Sequence, residues 1–506
     1  MKTAELWKKL LTAGALCPLF LTLLPAETLR LSLEDAVQTA LQNNEKLRIG
    51  RTGMRIAQAQ YEQARSALYP RIDLSLGASR RDEDINYLAS GTFDLPQDFT
   101  NQMALSAADV QDELTAMLTH TPKTHTNLQN TYNAVQAGLI APMSIPFEMD
   151  VTTLGRDSAA AQIDVSYPLY TGGKVDAVIR QAALNEKIGR QDYRRSAAEV
   201  IYDTRRYYYA VMLAEKIEKE VADTLARLET VKDLTEAFYK GDSLRVKKTD
   251  YLRTLVTVDL ARSMLEQSRA SVETAKSALV NAMGLPYDTE IEVTEKGFQT
   301  PGKKEALAPL IRDAYRFNPD YAKIRLAVEI ADAGIDEQKS GYLPAVGLTA
   351  NASHYYNSFD GGLYTDQNKN SWTIGVGLRW NIFNGFLDRA KVEEARLRKM
   401  RNRHAEVLLE KGLALQIKAA FLQLDRAQKQ FDTLKTATLH AQQNADLHIR
   451  AYREDMVPTK DVIEAQLTEA FTRSAYYRSL HDYALNKALI DFVVCRSVEK
   501  RNGKGE

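Results

Sequence analysis

The sequence predicts a mainly helical protein with a smaller β part, and three observations support this fold class. The second half of the chain repeats the first: SALYPRIDLSLGAS (66–79) aligns with SGYLPAVGLTANAS (340–353), and DVSYPLYTGG (164–173) aligns with GLRWNIFNGF (377–386). Short segments in each copy alternate apolar and polar residues, as half-buried strands do. Long stretches around them place apolar residues every three or four positions, as amphipathic helices do. Such a duplication usually reflects one supersecondary unit that is built twice.

The two alignments also predict the domain organisation. The shift between copies is 274 residues for the first pair and 213 for the second, so one connection is 61 residues longer in the first copy. We place this insertion at 81–160. We predict a signal peptide at 1–26, with a basic start and an apolar core, a first repeat at 27–300 and a second repeat at 301–506. Removal of the signal peptide would leave Cys495 as the single cysteine, so no internal disulfide is expected.

Each repeat is predicted to contain a helix, two strands, a long helix and a returning helix. The first helix, 33–69, ends before Pro70, because proline lacks an N–H and restricts the residue before it. The alternating segments begin near Ile72, Gln162, Val346 and Thr373. The long helices run to the regions of Tyr239 and Tyr452, and ~67 residues of helix would span about 100 Å. The first returning helix covers 250–284, after a turn two residues longer than the equivalent turn in the second copy.

The four alternating segments fit a bilayer but cannot close a barrel by themselves. Each has roughly nine to eleven residues, the length of a tilted membrane strand. Tyrosine and tryptophan residues cluster at the segment ends, as they do at membrane interfaces. The smallest membrane barrels have about eight strands, so the chain must oligomerise if these strands lie in lipid. The alternative is a soluble sandwich of four amphipathic strands, which leaves the two long helices unexplained.

Composition argues against several other classes of protein. The 66 basic and 66 acidic residues balance, so nucleic-acid binding has no electrostatic support. No segment after the signal peptide offers about 18 uninterrupted apolar residues, so no transmembrane helix is predicted. No catalytic residues, metal ligands or cofactor motif emerge, and we expect neither enzymatic activity nor a cofactor. The TGGK segment (171–174) lacks the spacing of a phosphate-binding loop.

From about residue 30 to 495 the chain resembles the TolC-type outer-membrane efflux and secretion channels. The most specific parts are YPLYTGGKVDAVIRQAAL (167–184), WNIFNGFLDRAKVEEARL (380–397) and the two turns between long and returning helices. The resemblance implies a homotrimer with a 12-stranded β-barrel in the lipid of the bacterial outer membrane and an α-barrel of long helices in the periplasm. It also implies efflux of small molecules together with a periplasmic adaptor (membrane fusion) protein and an inner-membrane transporter of the RND, ABC or MFS type.

Two alternative functions remain open at this point. The chain could be an exit duct for type I protein secretion, or a soluble periplasmic coiled-coil protein with a structural or adaptor role. The insertion at 81–160 joins two strands at their ends far from the helices, so we expect it outside the cell. There it would form an ordinary surface loop, offer a surface to phage or antibodies, or cap or narrow the exit.

The resemblance further implies a constriction at the periplasmic end, where the long helices turn. The family pattern there is an aromatic residue, a glycine three residues later and an aspartate nine residues later. Tyr452 and Asp461 fit this pattern, whereas Asp455 replaces the glycine. Glu464 stands where the family often has a second acid, on the same helix face as Asp461. Three copies would form a ring of six acids that attracts cations, although acids at helix starts are also common for helix-dipole reasons alone.

Asp250 is the corresponding aspartate of the first copy. In the family this aspartate contacts the tyrosine, here Tyr452, and an arginine on the neighbouring helix, and so holds the entrance closed. Val457 stands at the place of that arginine, so a lysine would have to substitute for it. The lysines nearby are Lys247, Lys248 and Lys460. The candidate constriction residues are therefore Asp461, Glu464, Tyr452 and Asp250.

Overall fold

The computed structural model describes residues 28–87, 91–94, 97–119, 125–136, 144–147, 151–241, 246–302, 305–359, 365 and 368–496. The predicted signal peptide lies outside the described residues. The helices are α1 (Leu33–Asn43), α2 (Glu45–Ser66), α3 (Gln97–Thr119), α4 (Thr126–Gln136), α5 (Lys174–Lys240), α6 (Lys248–Met283), α7 (Leu307–Phe317), α8 (Pro319–Lys339), α9 (Leu387–Arg453) and α10 (Thr459–Val494). The strands are β1 (Leu29–Leu31), β2 (Arg71–Arg80), β3 (Ile85–Tyr87), β4 (Gly91–Asp94), β5 (Ser144–Phe147), β6 (Val151–Leu154), β7 (Asp157–Tyr170), β8 (Ile291–Val293), β9 (Ala345–Asn357) and β10 (Asn370–Arg379).

The helices confirm the mainly helical fold class and repeat with the period of the sequence. The two long helices, α5 and α9, contain 67 residues each, and the returning helices α6 and α10 contain 36 each. α5 ends at Lys240 and α6 begins at Lys248, whereas α9 ends at Arg453 and α10 begins at Thr459, so the first connection is two residues longer, as predicted. No helix in the described part of the chain combines the length and the apolarity that crossing a membrane requires.

The opening helix differs from the prediction because it is interrupted at Asn44. Asn44 has an extended backbone (φ −66°, ψ 128°) and its Nδ2 donates to the carbonyl of Ala282, 2.7 Å away. The second copy repeats this break at Asn318, whose Nδ2 donates to the carbonyl of Val493 at 2.8 Å. Apolar residues recur at helical spacing on both sides of Asn44, so the periodicity alone could not reveal the break.

Four strands form one antiparallel sheet in the order β10-β9-β7-β2. The register places Ile72 opposite Val165, Val165 opposite Ala350, and Ala350 opposite Ile374, so these side chains share one face. This apolar face comprises Ile72, Leu74, Leu76, Ile163, Val165, Leu348, Ala350, Ala352, Trp372, Ile374, Val376 and Leu378. The opposite, polar face comprises Asp73, Ser75, Gln162, Asp164, Asn351, Ser353, Ser371 and Thr373. The alternation predicted from the sequence therefore produces a two-faced sheet.

The insertion contains two further two-stranded ladders and a helical pair. Strand β3 pairs with β6, and β4 pairs with β5. The buried carboxylate of Asp112 on α3 accepts hydrogen bonds from the backbone N–H groups of Asn127 and Leu128 at the start of α4. These bonds satisfy two of the free N–H groups of the first helical turn and hold α3 and α4 together.

The chain forms two compact units, each with its own apolar packing. One unit contains the residues up to Asn44 together with Val200–Gly302 and Leu424–Leu485. The other contains Glu45–Glu199, Lys303–Gln423 and the residues from Asn486 onwards. Parallel pairing of β1 with β8 and packing of α1 against α6 belong to the first unit. The four-stranded sheet belongs to the second.

Candidate functional site

The turn from α9 to α10 is held by a helix cap that the sequence pattern only partly indicated. Asp455 takes a left-handed backbone conformation (φ 57°), its N–H donates to the carbonyl of Tyr452, and the Met456 N–H donates to the carbonyl of Ala451. Glycine is the usual residue in this conformation, because it has no Cβ. The aspartate that replaces the expected glycine therefore adopts the same backbone geometry and closes the helix.

Tyr452 lies at the centre of this turn and is 1% exposed. Its hydroxyl is 2.7 Å from Thr235 Oγ1 on α5 and 2.9 Å from Thr459 Oγ1 on α10. Thr235 already donates its own proton to the carbonyl of Val231, so it must accept from the tyrosine. Thr459 then donates to the tyrosine oxygen. The hydroxyl of Tyr452 thus connects the end of α5 to the start of α10.

Apolar side chains surround the tyrosine ring. Val231, Val462 and Ile463 are buried with it, and the Phe238 ring meets it edge-on at a centroid distance of 5.6 Å. Val457, which stands where the resemblance implies an arginine, packs against the same cluster. An apolar contact therefore occupies the position of the missing ion pair.

The two acids of α10 differ in exposure. Asp461 lies in the first helical turn and is half-buried, whereas Glu464 is exposed. Neither carboxylate forms an ion pair or hydrogen bond with another of the described residues. Glu464 lines an open groove of about 510 Å³ with Arg253 and Lys460. The acids are thus available to a ligand, and two cationic side chains share the groove with one of them.

Asp250 caps the returning helix of the first copy. Its carboxylate accepts a hydrogen bond from the backbone N–H of Lys247 at 3.1 Å and lies 3.8 Å from Arg253. The resemblance implied a contact between this aspartate and Tyr452, but the structure gives the tyrosine hydroxyl two threonine partners instead. The four candidate residues therefore lie on the paired helix turns, and among the described residues the Tyr452 hydroxyl bonds Thr235 and Thr459 rather than Asp250.

A buried ionic cluster between α5 and α10 was missed by the sequence reasoning. Glu469 is 1% exposed and pairs with Arg227 and with Arg473, the latter at 2.8 Å. Glu220, also buried, lies 3.5 Å from Arg473. Burial, and secondarily the Glu220 charge, raise the pKa of Tyr477, which borders the cluster. In the sequence, the ionic cluster is visible only as a seven-residue spacing on α5 (Glu220 to Arg227) and a four-residue spacing on α10 (Glu469 to Arg473). A solvent-exposed helix face would show the same spacings.

Within the described ranges, no group of three or more histidine, cysteine, aspartate or glutamate side chains is placed to hold a metal ion.

Comparison with known proteins gives the same picture as the fold. The sequence model of the family described as outer membrane efflux protein matches residues 36–285 and 310–488. The outer membrane protein TolC of Escherichia coli (strain K12) is 20% identical over 356 residues, which cover 67% of this chain and 69% of the relative. The alkaline protease secretion protein AprF of Pseudomonas aeruginosa is 24% identical over 239 residues, 45% of this chain and 47% of the relative.

Solved structures support the fold over nearly the whole length. A membrane protein from Pseudomonas aeruginosa superposes with a TM-score of 0.68 at 16% identity, covering 91% of this chain and 93% of the other. The CmeC outer membrane channel of Campylobacter jejuni gives a TM-score of 0.67 at 14% identity, with coverage of 93% and 88%. Together with the family match, these findings confirm the resemblance: the chain belongs to the outer membrane efflux protein family, and it is an efflux channel of the outer membrane that extends into the periplasm.

Proposed function

We propose that the channel is a homotrimeric exit duct for small molecules, which receives them from an inner-membrane transporter of the RND, ABC or MFS type through a periplasmic adaptor protein. The observation that carries the trimer is the four-stranded sheet with two open edges. Strands β2 and β10 are its outer strands, with ten residues each.

An open edge cannot persist in lipid, because each unpaired backbone group there costs several kcal/mol. Neighbouring strands in the sheet are antiparallel throughout, so β2 and β10 run in opposite directions. The β10 edge of one protomer can therefore pair in antiparallel fashion with the β2 edge of the next. Three chains would give the 12 strands that the family resemblance implies.

The apolar face supplies the lipid contact that such a barrel needs. Ile72 and Leu76 on β2 are 67% and 73% exposed, and Trp372 and Ile374 on β10 are 75% and 64% exposed. Large apolar side chains in a continuous exposed patch indicate an interaction surface. With this face towards lipid, Asp73, Asp164 and Asn351 on the other face line the water-filled interior.

The trimer and its orientation can be tested by adjacent substitutions on β10. Ile374→Lys places a charge on the proposed lipid face, where it costs about 2–4 kcal/mol near the bilayer midplane. Thr373→Lys is the matched control on the proposed interior face. We expect detergent-extracted trimers, measured by native mass spectrometry, to be depleted for Ile374→Lys and retained for Thr373→Lys. A wild-type chain that remains monomeric in detergent would contradict the proposal.

The candidate constriction at the helix turns is proposed to favour cations. The support is that Asp461 and Glu464 carry no ionic partner among the described residues and that a three-fold axis would bring six carboxylates together. In planar bilayers, the double variant Asp461→Ala/Glu464→Ala should shift the reversal potential towards lower cation preference. Lys460→Ala, which removes a cation from the same groove, should shift it the opposite way. Unchanged reversal potentials in both would remove the constriction from the mechanism.

The second candidate is an exit duct for type I protein secretion. It is favoured by the similarity to AprF, whose name describes alkaline protease secretion. The soluble coiled-coil alternative is set aside by the family membership. A strain that lacks its own exit duct distinguishes the two remaining functions. Restored resistance to small toxic compounds, without secretion of a type I substrate, supports efflux, and the reverse result supports secretion.

A further inference from the structure

The connection from β10 to α9 exposes large apolar side chains at the end of the sheet. Trp380, Ile382, Phe383 and Phe386 are between 55% and 83% exposed. The Phe383 and Phe386 rings meet edge-on at a centroid distance of 5.4 Å, so they form one apolar surface. Aromatic side chains at the ends of membrane strands mark the interface between hydrocarbon and headgroups. The start of α9 at Leu387 therefore lies at the level of the headgroups on the periplasmic side.

Three arginines follow on α9 at intervals of seven residues: Arg389, Arg396 and Arg403. Residues seven apart lie on one helix face, and all three side chains are exposed. Arg389 and Arg403 form no ion pair or hydrogen bond with another described residue, whereas Arg396 lies 3.6 Å from the exposed Glu393. An exposed pair of this kind contributes little. The arginine face therefore offers positive charge to a partner.

Helix α9 continues β10 and packs beside α8, just as β10 pairs with β9. Asn402 Nδ2 on α9 donates to the carbonyl of Ala327 on α8 at 3.0 Å, and Ala395 is buried on the same side of α9. Arg396 directly follows Ala395, so it lies about 100° around the helix from this contact. Lys391, four residues before Ala395, lies about 40° from the contact in the opposite sense. The arginine face and Lys391 are thus on different sides of the contact with α8.

The handedness of the chain assigns each side to a face of the sheet. Polar-face residues of β9 and β10 direct their backbone groups at each other, because the Tyr355 N–H donates to the Lys369 carbonyl at 2.8 Å. For L-residues, a view along β10 towards α9 then leads clockwise from the polar face to β9 and onward to the apolar face. A right-handed helix also winds clockwise in this view. Arg396 therefore lies on the side of the apolar face, and Lys391 on the side of the polar face.

Distance from the headgroups separates the three arginines. A helix rises 1.5 Å per residue, so Arg389, Arg396 and Arg403 lie about 3, 14 and 24 Å beyond the start of α9. The headgroup region is about 5–8 Å thick on each side of a bilayer, and salt screens its charge over about 8 Å. Helix side chains lean towards the N-terminus, which here is towards the membrane. Arg389 therefore reaches the headgroups, Arg396 lies within range of their charge, and Arg403 lies beyond it.

The first copy does not contain this arrangement. At the shift of 213 residues, Asp176 and Ala183 on α5 stand at the positions of Arg389 and Arg396. Both copies nevertheless form a strand that leads into a helix of 67 residues. The arginine face is therefore not a requirement of the fold that the two copies share.

We propose that Arg389, with Arg396 behind it, binds the phosphate groups of anionic phospholipids in the leaflet of the outer membrane that faces the periplasm. This proposal rests on the barrel orientation proposed above, in which the apolar sheet face contacts lipid. The occupant follows from continuity and charge: the exposed aromatic residues extend the apolar face, and the cations begin where phosphates replace hydrocarbon. A trimer would carry three such sites, one on each protomer.

Native mass spectrometry of detergent-extracted trimers tests the site, with phosphatidylglycerol and phosphatidylcholine of identical acyl chains as probes. We expect wild-type trimers to retain phosphatidylglycerol in preference to phosphatidylcholine. Arg389→Gln should weaken phosphatidylglycerol binding about fivefold, the usual contribution of one cation near an anionic membrane surface. The double variant Arg389→Gln/Arg396→Gln should weaken it further. Binding of phosphatidylcholine should not change in either variant, because this lipid has no net charge.

Two matched variants separate position from charge. Lys391→Gln removes a cation at a similar depth on the other side of α9, and Arg403→Gln removes one from the arginine face farther from the membrane. Both should bind phosphatidylglycerol as the wild type does. A stable double-variant trimer with wild-type phosphatidylglycerol binding would overturn the site and leave the duct intact. Loss of the trimer in Arg389→Gln would assign the arginine face to the neighbouring protomer and overturn the lipid site. A wild-type chain that forms no trimer would overturn both the site and the duct.

Discussion

Replacing Tyr452 by phenylalanine is expected to loosen the α9–α10 turn without changing its shape. The ring remains in its apolar cluster, but the hydroxyl that accepts from Thr459 and donates to Thr235 is lost. Thr459 is 3% exposed, so its hydroxyl proton is left without a partner in a buried place. Thr235 still donates to the carbonyl of Val231 and loses less.

The magnitude follows from these contacts. Each net hydrogen bond contributes about 0.5–1.5 kcal/mol, and an unpaired buried donor costs about 1–3 kcal/mol. Since the two effects overlap, we expect the free energy of local opening to fall by about 1–3 kcal/mol. Such a change accelerates amide hydrogen exchange from the opened state by roughly 5- to 150-fold.

Hydrogen exchange with mass spectrometry should report this change in peptides that cover 449–457. Those peptides include the Asp455 and Met456 amides, which are bonded within the turn. The control is Tyr239→Phe, the equivalent position of the first copy. Tyr239 is partly exposed and stacks on Tyr251 with ring centroids 5.4 Å apart, and its hydroxyl has no bond to another described residue. Equal exchange in wild type and Tyr452→Phe would refute the reasoning, as would an equal acceleration in the Tyr239→Phe turn.

Three further predictions concern stability. Glu469→Ala leaves Arg227 and Arg473 without their shared carboxylate and should lower the free energy of unfolding by about 3–5 kcal/mol. Urea denaturation followed by circular dichroism should show this loss. The control Asp259→Ala, at an exposed carboxylate, should change the free energy of unfolding by less than about 0.5 kcal/mol. A hydrogen bond from Arg180 lowers the pKa of Asp336 below 3.8, so the pair stabilises the fold above that pH and loses its effect as the pH falls. Asp336→Asn should therefore destabilise by up to about 1 kcal/mol at pH 7, and the difference from wild type should shrink below about pH 4. Gly172 and Gly385 occupy equivalent positions with φ near 65°, but a Cβ at Gly172 would lie 2.8 Å from Leu343 Cβ, whereas one at Gly385 would meet nothing within 4 Å. Gly172→Ala should therefore lower the thermal unfolding midpoint more than Gly385→Ala does. Equal midpoints for the two variants would exclude this steric explanation.

The repeated elements could be predicted because their signals are local. Apolar spacing and proline positions gave the strands, the two long helices and the returning helices, and the alignment gave the two-residue difference between the turns. The partners of individual side chains could not be predicted in this way. Tyr452 was singled out by its motif, yet its bonds to Thr235 and Thr459 depend on how three helices pack. The Glu469 cluster and the breaks at Asn44 and Asn318 depend on contacts between distant segments for the same reason.

The two copies differ where function is proposed, and this difference argues that the duplication supplied a scaffold that later diverged. Helix lengths, strand order and the asparagine breaks are shared, as expected of features that any copy needs in order to fold. In the described structure, the Tyr452 hydroxyl of the second copy is hydrogen-bonded to two threonines, whereas Tyr239 of the first copy lacks such partners. Helices α3 and α4 belong to the first copy, whose strand connection is the longer one. A trimer would present each feature three times about its axis, so a change on one repeat would alter the whole perimeter of the duct. Both copies supply two strands to the sheet, so divergence at the turns or in the strand connection can change the duct while the shared elements maintain the barrel.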